Sequence, residues 1–218
     1  WKASRGLGGK TTMLALLGHM ETAVLGAEVT ILGGSGQQSQ RVHEAQEKFW
    51  KHPNAPLGQL VADPTKYETK LINGGRTVAL LASTRSARGP HPQRLRLDEC
   101  DEIKLEILDA SLGQTLSARG IAANTVMSST HQYADGTMTE ILKRATDRGW
   151  PVYEWCYREN HVSNGGWADD EQIEGKRSEV TAAMWAAEYE LGEPSPESRA
   201  IQPETVDAMF KPELGQFG

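Results

Sequence analysis

The chain has 218 residues, of which 38% are hydrophobic and 24% are charged, so it can bury a substantial core and disorder is not expected. Its formal net charge of −6 is uneven, because residues 169–218 carry 12 acids and 4 bases whereas residues 1–168 carry 17 acids and 19 bases. A nearly neutral body with an acidic tail argues against a stand-alone DNA-binding domain, and no apolar run is long enough to span a membrane.

Apolar, β-rich segments alternate with helical patterns along the first three-quarters of the chain. Strands are predicted at residues 27–34, 77–83, 94–99, 124–130 and 151–155, and helices at 10–25, 37–50, 107–119 and 138–148. Strands separated by helices predict βαβ units and a mostly parallel sheet flanked by helices. Residues 1–3 precede a glycine-rich turn, and we expect them to be the end of a strand that begins upstream in a longer protein.

The sequence changes in character after Asn160. Residues 161–168 predict a loop, and the acidic residues that follow suit the first turn of a helix from about 169 to 191. The stretch GEPSPES then ends this helix and predicts a linker with one short helix near 204–209. We therefore expect a core at 1–160 and a helical and linker segment at 161–218. Four tryptophans are expected to pack the late helix onto the sheet: Trp150, Trp155, Trp167 and Trp185.

The most informative motif is SRGLGGKTT, residues 4–12, which fits the phosphate-loop template G-x-x-x-x-G-K-[ST] except that Ser4 replaces the first glycine. Its glycines would let backbone N–H groups converge on phosphate oxygens at the N-terminus of a helix. Lys10 would reach the β- and γ-phosphates, and the hydroxyl of Thr11 would bind Mg²⁺. The predicted nucleotide-binding residues are Gly6, Gly8, Gly9, Lys10, Thr11 and Thr12. The alternative is a glycine-rich turn that precedes a helix.

A pair of acids, Asp98 and Glu99, ends the predicted strand RLRLDE. An aspartate at this position could bind Mg²⁺, and the glutamate beside it could polarise the attacking water as a general base. The alternative is a strand end followed by a solvated acidic helix start, and Asp101 and Glu102 are expected to be surface charges. Arg96 is unusual in a core strand. Together with the phosphate loop, the acid pair predicts ATP hydrolysis, provided that one magnesium ion can lie between the two motifs.

The hydroxyl-rich stretch SST ends the fourth predicted strand, at Ser128, Ser129 and Thr130. These hydroxyls could sense the γ-phosphate and transmit its loss to the next segment. Polar residues that simply end a strand explain the stretch equally well.

Three arginines are candidates for stabilising the charge of a transition state. Arg5 lies within the phosphate loop and could act in cis. Arg85 and Arg88 lie in a Gly/Pro-rich loop, STRSARGPHPQR, from which they could reach a nucleotide on a neighbouring subunit. A solvated basic loop or a contact to DNA phosphates explains Arg85 and Arg88 equally well.

Taken in order, WKASRGLGGKTT, STRSARGPHPQRLRLDE, NTVMSST and AAMWAAEYELGEPSPESRAI resemble the large subunit of tailed-phage terminases, the ATP-driven motors that package DNA into procapsids. The resemblance covers residues 1–201. It implies a P-loop NTPase fold of the RecA/ASCE-like type, with a C-terminal helix and linker leading to an RNase H-like nuclease domain beyond residue 218. It also implies that adenine-contacting residues lie upstream of the phosphate loop.

The resemblance implies ATP and Mg²⁺ as cofactors, with Lys10 and Thr11 at the phosphates, Asp98 at the metal and Glu99 at the catalytic water. Residues 128–130 would form the coupling motif. The implied partners are double-stranded DNA, a portal protein, a small terminase subunit and further copies in a ring on the procapsid, in the host cytoplasm and with no membrane. Two alternatives remain open: a helicase-like ATPase stimulated by nucleic acid, and an assembly module that binds nucleotide without turnover.

Overall fold

The computed structural model describes residues 1–83 and 91–194. The strands in these ranges are β1 (Lys2–Ala3), β2 (Glu28–Gly33), β3 (Glu68–Lys70), β4 (Arg76–Leu81), β5 (Arg94–Asp98), β6 (Asn124–Ser128) and β7 (Glu154–Trp155). The helices are α1 (Lys10–Leu25), α2 (Gly36–Trp50), α3 (Leu105–Leu112), α4 (Thr137–Arg148), α5 (Asp170–Glu179) and α6 (Ala182–Met184), and α6 continues into a π-helical turn, Trp185–Tyr189. Arg85, Arg88 and the helix predicted near 204–209 lie outside the described residues.

The main sheet has the strand order β3-β4-β2-β5-β6. All of its neighbouring strands run parallel except β3, which pairs antiparallel with β4 at the edge. The parallel pair β1–β7 continues this order beyond β6 through a bridge between Lys2 and Ser129. The prediction of a mostly parallel α/β sheet is therefore confirmed, and β6 lies between β1, which leads into the phosphate loop, and β5, which ends at the acid pair.

Helices cover both faces of the sheet. On one face, α1 and α2 pack over apolar side chains of the central strands, including Val29, Ile31 and Ala79. On the other face, α3 and α4 pack over Leu95 and Leu97 of β5. Because side chains alternate along a strand, this two-sided burial requires continuous apolar runs, which is the pattern that the sequence shows. None of the helices in the described part of the chain combines the length and hydropathy needed to cross a lipid bilayer.

Two predicted helices are shorter than expected. The helix predicted at 107–119 ends at Leu112, because Gly113 caps it and the chain then turns through Arg119 and Gly120, both at positive φ. The late helix is broken after Glu179, since Val180 is extended and the hydroxyl of Thr181 caps a new helical turn. The three-residue edge strand β3 was not predicted, because it is too short to show an alternating pattern.

The arginine in the core strand has a counter-ion on the neighbouring helix. Arg96 is fully buried, and its guanidinium forms an ion pair with Glu21 of α1. It also donates to the carbonyl oxygens of Leu95 (2.8 Å) and Asn124 (3.2 Å). Nε of Arg94 lies 2.7 Å from the same glutamate. Glu21 therefore ties the helix that follows the phosphate loop to the strand that carries the acid pair.

Candidate nucleotide-binding site

The phosphate loop joins β1 to α1 and owes its shape to its glycines. The N–H of Gly8 donates to the carbonyl of Ser4 at 3.0 Å, and a Cβ at this glycine would lie 2.5 Å from the same oxygen. Gly9 caps α1 with φ +65°, in the left-handed region, and a Cβ here would lie 2.5 Å from the ring of Trp167. Only glycine fits these two positions without strain, as expected for a loop that brings its backbone close to a ligand.

Ser4 has a structural role at the position where the template has glycine. Its side chain is fully buried, its hydroxyl donates to the carbonyl of Tyr189 at 2.5 Å, and it accepts from the N–H of Tyr157 at 3.0 Å. A glycine would leave both of these backbone groups without the hydroxyl. The serine that departs from the template therefore bonds the phosphate loop to the C-terminal part of the described chain.

Residues 155–189, here called the C-terminal wall, pack against the phosphate loop along its length. Leu7 lies in an apolar cluster with Trp185 and Tyr189, whose rings stack with their centroids 4.5 Å apart. The indole N–H of Trp155 donates to the carbonyl of Gly8 at 2.6 Å. Trp155 and Trp167 thus contact the phosphate loop itself, whereas the sequence predicted only that they pack the late helix onto the sheet.

Lys10 lies where the phosphate loop, the acid pair and the coupling residues meet. Its side chain is buried, and its ammonium donates to the hydroxyl of Thr130 at 2.9 Å and to the carbonyl oxygens of Ala3 and Ser4, both at 3.3 Å. Its Nζ is also 3.8 Å from Oε1 of Glu99. A single cation therefore faces three of the elements singled out from the sequence.

The acid pair lies beside the first turn of α1. Oγ1 of Thr11 donates to Oδ2 of Asp98 at 3.1 Å, while Oδ1 of Asp98 is buried and has no hydrogen-bond partner among the described residues. Burial, reinforced by the charge of Glu99, raises the pKa of Asp98 to about 6 although Lys10 lowers it. Glu99 itself adopts φ 50°, which is unfavourable for a residue with a side chain. The aspartate is thus a largely ionised carboxylate at neutral pH with one oxygen available to a cation.

The phosphate loop and the acid pair line one cavity of about 440 Å³. It is lined by the predicted residues Arg5, Gly6, Gly9, Lys10, Thr11, Thr12, Asp98 and Glu99, together with Ser4, Gln38, Arg41, Glu102 and Gln132. Lys10 and Asp98 therefore face the same space, as binding to one magnesium ion requires. Gln38 and Arg41 were missed by the sequence analysis. They lie on α2 just after β2, and the carboxyl ends of parallel strands are where such sheets bind ligands, so this rule could have found them.

The predicted coupling residues lie behind the cavity. Ser128, Ser129 and Thr130 are completely buried, and in the described structure none of them lines the cavity. Thr130 contacts Lys10, Ser129 Oγ accepts from the N–H of Asp101 at 3.1 Å, and Ser128 Oγ has no hydrogen-bond partner within the described ranges. These residues can therefore respond to a ligand through Lys10 and Asp101 but not by direct contact.

The prediction that Asp101 is a surface charge is wrong. Its side chain is buried, and its carboxylate accepts three backbone hydrogen bonds from the segment that follows the coupling residues. The composition of the stretch DECDE suggested a solvated turn, and it contains no sign of these distant partners. Glu102 is exposed, as expected, although it also lines the cavity and accepts a hydrogen bond from the hydroxyl of Tyr133 at 3.1 Å.

Arg5 points into the mouth of the cavity and is held by the C-terminal wall. Its Nη1 lies 2.8 Å from Oε2 of Glu188, and its backbone N–H donates to the carbonyl of the same residue at 2.9 Å. The hydrogen bond that its guanidinium donates to Glu188 raises the pKa of Arg5. Arg5 is thus a permanent cation at the cavity, whereas Arg88, the other predicted catalytic arginine, lies outside the described residues.

The residues at this site fit a nucleotide with a bound Mg²⁺. The unpartnered oxygen of Asp98 and the hydroxyl of Thr11 are oxygen ligands of the kind that Mg²⁺ prefers, and Mg²⁺ normally uses one or two protein ligands together with phosphates. No group of three or more His, Cys, Asp or Glu side chains suited to hold a metal occurs within residues 1–83 and 91–194. The glycine loop supplies backbone N–H groups at a helix N-terminus, where phosphates bind.

The described chain thus has a P-loop α/β fold. Solved structures of large terminases share it. The large terminase of a thermophilic bacteriophage matches with a TM-score of 0.64 at 10% identity, over 86% of this chain and 46% of that chain. The same terminase in complex with ADP gives a TM-score of 0.63 at 10% identity, with the same coverage. The large terminase of bacteriophage HK97 gives 0.57 at 17% identity, over 98% of this chain and 43% of that chain.

These similarities concern the fold. No protein-family model matches the chain, and no curated protein matches it. The chain spans less than half the length of the terminases that it resembles.

Proposed function

We propose that this chain is the ATPase portion of a large terminase subunit, which hydrolyses ATP to move double-stranded DNA into a procapsid. The observation that carries the proposal is that Lys10, Thr11, Asp98 and Glu99 line one cavity. This cavity lies in a fold that large terminases share. The thermophilic phage terminase in complex with ADP supports a nucleotide as the ligand. The order of the motifs along the chain, quoted above, supports the same family.

In this proposal the backbone N–H groups at the N-terminus of α1, residues 9–12, and the ammonium of Lys10 bind the phosphates of ATP. Thr11 and Asp98 would hold Mg²⁺, which when bound supplies positive charge that stabilises the charge developing on the phosphate oxygens. The oxygen of the attacking water bonds to the γ-phosphorus while Glu99 accepts a proton from that water. The bond from the γ-phosphorus to the β–γ bridging oxygen breaks, which releases ADP. Arg5 adds a cation at the cavity mouth in cis.

The partners follow from the same proposal. We expect the protein to act with double-stranded DNA, a portal protein, a small terminase subunit and further copies of itself in a ring, in the cytoplasm of the host. Arg88 is proposed to reach the phosphates of a neighbouring subunit in that ring. Thr130 and Ser129, which contact Lys10 and the loop of the acid pair, are proposed to transmit the nucleotide state.

The test is Glu99→Gln, which keeps the size of the side chain but removes the base. We expect this variant to bind ATP with an affinity close to that of the wild type and to hydrolyse it about 10²- to 10⁴-fold more slowly. Binding is measured by titration with a fluorescent ATP analogue, and turnover by phosphate release with and without double-stranded DNA. The control is Glu47→Gln, which changes an acid near the end of α2.

One outcome tests the assignment of the base, and two further measurements distinguish the candidate functions. Wild-type turnover in Glu99→Gln would show that another residue is the base. Binding of ATP with no phosphate release by the unmodified protein, with or without DNA, would instead support the non-hydrolysing assembly module. Separation of duplex strands driven by ATP would support the helicase-like ATPase, whereas movement of intact duplex supports the packaging motor.

A further inference from the structure

We propose that Asp101 is a positioning residue that fixes the loop of the acid pair against the segment after the coupling residues, so that Glu99 and Gln132 keep their positions in the lining of the cavity. The proposal rests on the proposed ATPase function. Asp101 itself is not among the residues that line the cavity, and so it would act through its neighbours.

Four hydrogen bonds join Asp101 to other parts of the chain, three to this segment and one to the coupling residue Ser129. Oδ2 accepts from the N–H groups of Gln132 (2.8 Å) and Tyr133 (3.1 Å), and Oδ1 accepts from the N–H of Met138 (2.8 Å). The N–H of Asp101 donates to Oγ of Ser129 at 3.1 Å. The side chain is buried, and its partners lie 28 to 37 residues away along the chain. A buried carboxylate with all of these donors fixes the relative position of two segments that are otherwise far apart in sequence.

The carboxylate also replaces the missing cap of α4. The N-cap position is Gly136, which has no side chain to cap the helix, and Met138 is the second residue of α4, where backbone N–H groups lack partners within the helix. Asp101 supplies the acceptor from a distant loop. A Cβ on Gly136 would lie 2.1 Å from Oδ1 of Asp101, so this close approach requires glycine.

Both ends of this connection reach the nucleotide-binding cavity. Asp101 follows Glu99 by two residues, across a short 3₁₀ turn that starts with the fully buried Cys100. A shift of this turn would therefore move Glu99, whose backbone lies in the left-handed region. At the other end, Gln132 lines the same cavity as the acid pair, and its backbone N–H donates to Asp101.

The chemistry of the contact specifies a carboxylate. Both oxygens accept from N–H groups, and an asparagine has only one acceptor oxygen. In Asp101→Asn the amide NH₂ must face at least one N–H donor, so one or more of the three bonds is lost and a donor lies against a donor. The variant changes neither the size of the side chain nor any residue that lines the cavity.

The experiment compares Asp101→Asn with Asp109→Asn, which removes another acid that binds α4, through Arg144, on the outer surface of the molecule. For Asp101→Asn we expect kcat for ATP hydrolysis to fall about 10- to 100-fold with KM for ATP within about threefold of the wild type, as for a misplaced catalytic group. Asp109→Asn should keep both values. If Asp101→Asn folds poorly, Gly136→Ala serves as the second variant. It crowds the same carboxylate, and we expect it to lower kcat in the same way.

A second readout does not depend on turnover. Hydrogen exchange at the amides of Gln132, Tyr133 and Met138 should be fast in Asp101→Asn and slow in Asp109→Asn and in the wild type. Loss of this protection together with a wild-type kcat would overturn the proposal, and so would equal falls of kcat in both variants. A wild type that fails to hydrolyse ATP while the protection pattern holds would count against the proposed ATPase instead.

Discussion

The two sides of the cavity are held in place by different forces. The phosphate loop is held by hydrogen bonds to backbone groups, by the apolar packing of Leu7 and by the partly exposed ion pair of Arg5 with Glu188. The acid pair is held by buried charges, because Glu21 binds the arginine of its strand and Asp101 anchors the loop after it. Lys10 is the cation that faces both sides.

This difference has consequences for mutation. Apolar packing loses free energy in proportion to the area or volume removed, and neighbouring groups can relax around a small change. A buried charge that loses its partner retains the full cost of its desolvation. Substitutions on the acid side are therefore expected to have larger effects on stability than substitutions of similar size on the loop side. The following predictions measure the effects on the acid side and at the cation that faces both sides.

The largest expected effect is that of Glu21→Gln. The change leaves the buried Arg96 without its counter-ion and weakens the contact with Arg94, so we expect the free energy of unfolding to fall by about 3–5 kcal/mol. Urea denaturation followed by circular dichroism measures the change. The matched control is Glu28→Gln, whose half-exposed ion pair with Arg119 should contribute no more than about 1 kcal/mol. Equal losses in both variants would contradict the contrast between buried and exposed charge.

The next effect concerns the cation shared by the two sides. Lys10→Ala removes the ammonium that bonds to Thr130 and to the carbonyl oxygens of the loop, and we expect ATP hydrolysis to fall about 100- to 1,000-fold, as for the loss of one preorganised donor. Phosphate release measures the rate. Lys51→Ala, at the exposed end of α2, is the control and should keep the wild-type rate. Wild-type ATP hydrolysis in Lys10→Ala would contradict the assignment of the loop as the phosphate-binding site.

The loop side could be predicted from the sequence more fully than the acid side, for a physical reason. The fold of the phosphate loop depends on residues within a few positions of one another, so the glycines and Lys10 predict both the turn and the helix that starts there. The alternation of strands and helices likewise predicts the parallel sheet. What the sequence did not predict is set by contacts between distant residues.

Asp101 and Arg96 illustrate that limit. Each looked anomalous or unimportant in its local context, and each has partners 28 or more residues away along the chain. The hydroxyl of Ser4 similarly bonds to Tyr189, and Arg41 reaches the cavity only because β2 lies beside β5. The break in the late helix was missed for the same reason. The π-helical turn after the break packs on the phosphate loop, which is far away in the sequence.

The smaller of the two predicted effects on stability has the opposite sign, and it tests whether the ionised groups of the acid side lower the stability of the fold. The pKa of Asp98 is raised from its ordinary value near 3.8 to about 6, mainly by burial and then by the charge of Glu99. A carboxylate with a raised pKa in the folded state favours folding at low pH, and that contribution is lost as the pH rises through about 6. At pH 7 the fold therefore bears the cost of an ionised, partly unpartnered group.

Asp98→Asn removes that charge and keeps an oxygen that can accept from Thr11. In EDTA at pH 7 we expect this variant to be more stable than the wild type by about 1–3 kcal/mol, and to lose ATP hydrolysis because its metal ligand is gone. The gain in stability should shrink as the pH falls from 6 to 4, where Asp98 of the wild type becomes protonated. Denaturation curves at pH 4.5 and pH 7 measure it. A variant that is less stable than the wild type at pH 7 would show that the attraction of Lys10 outweighs burial, and that the charges on this side stabilise the fold as well as serving the chemistry.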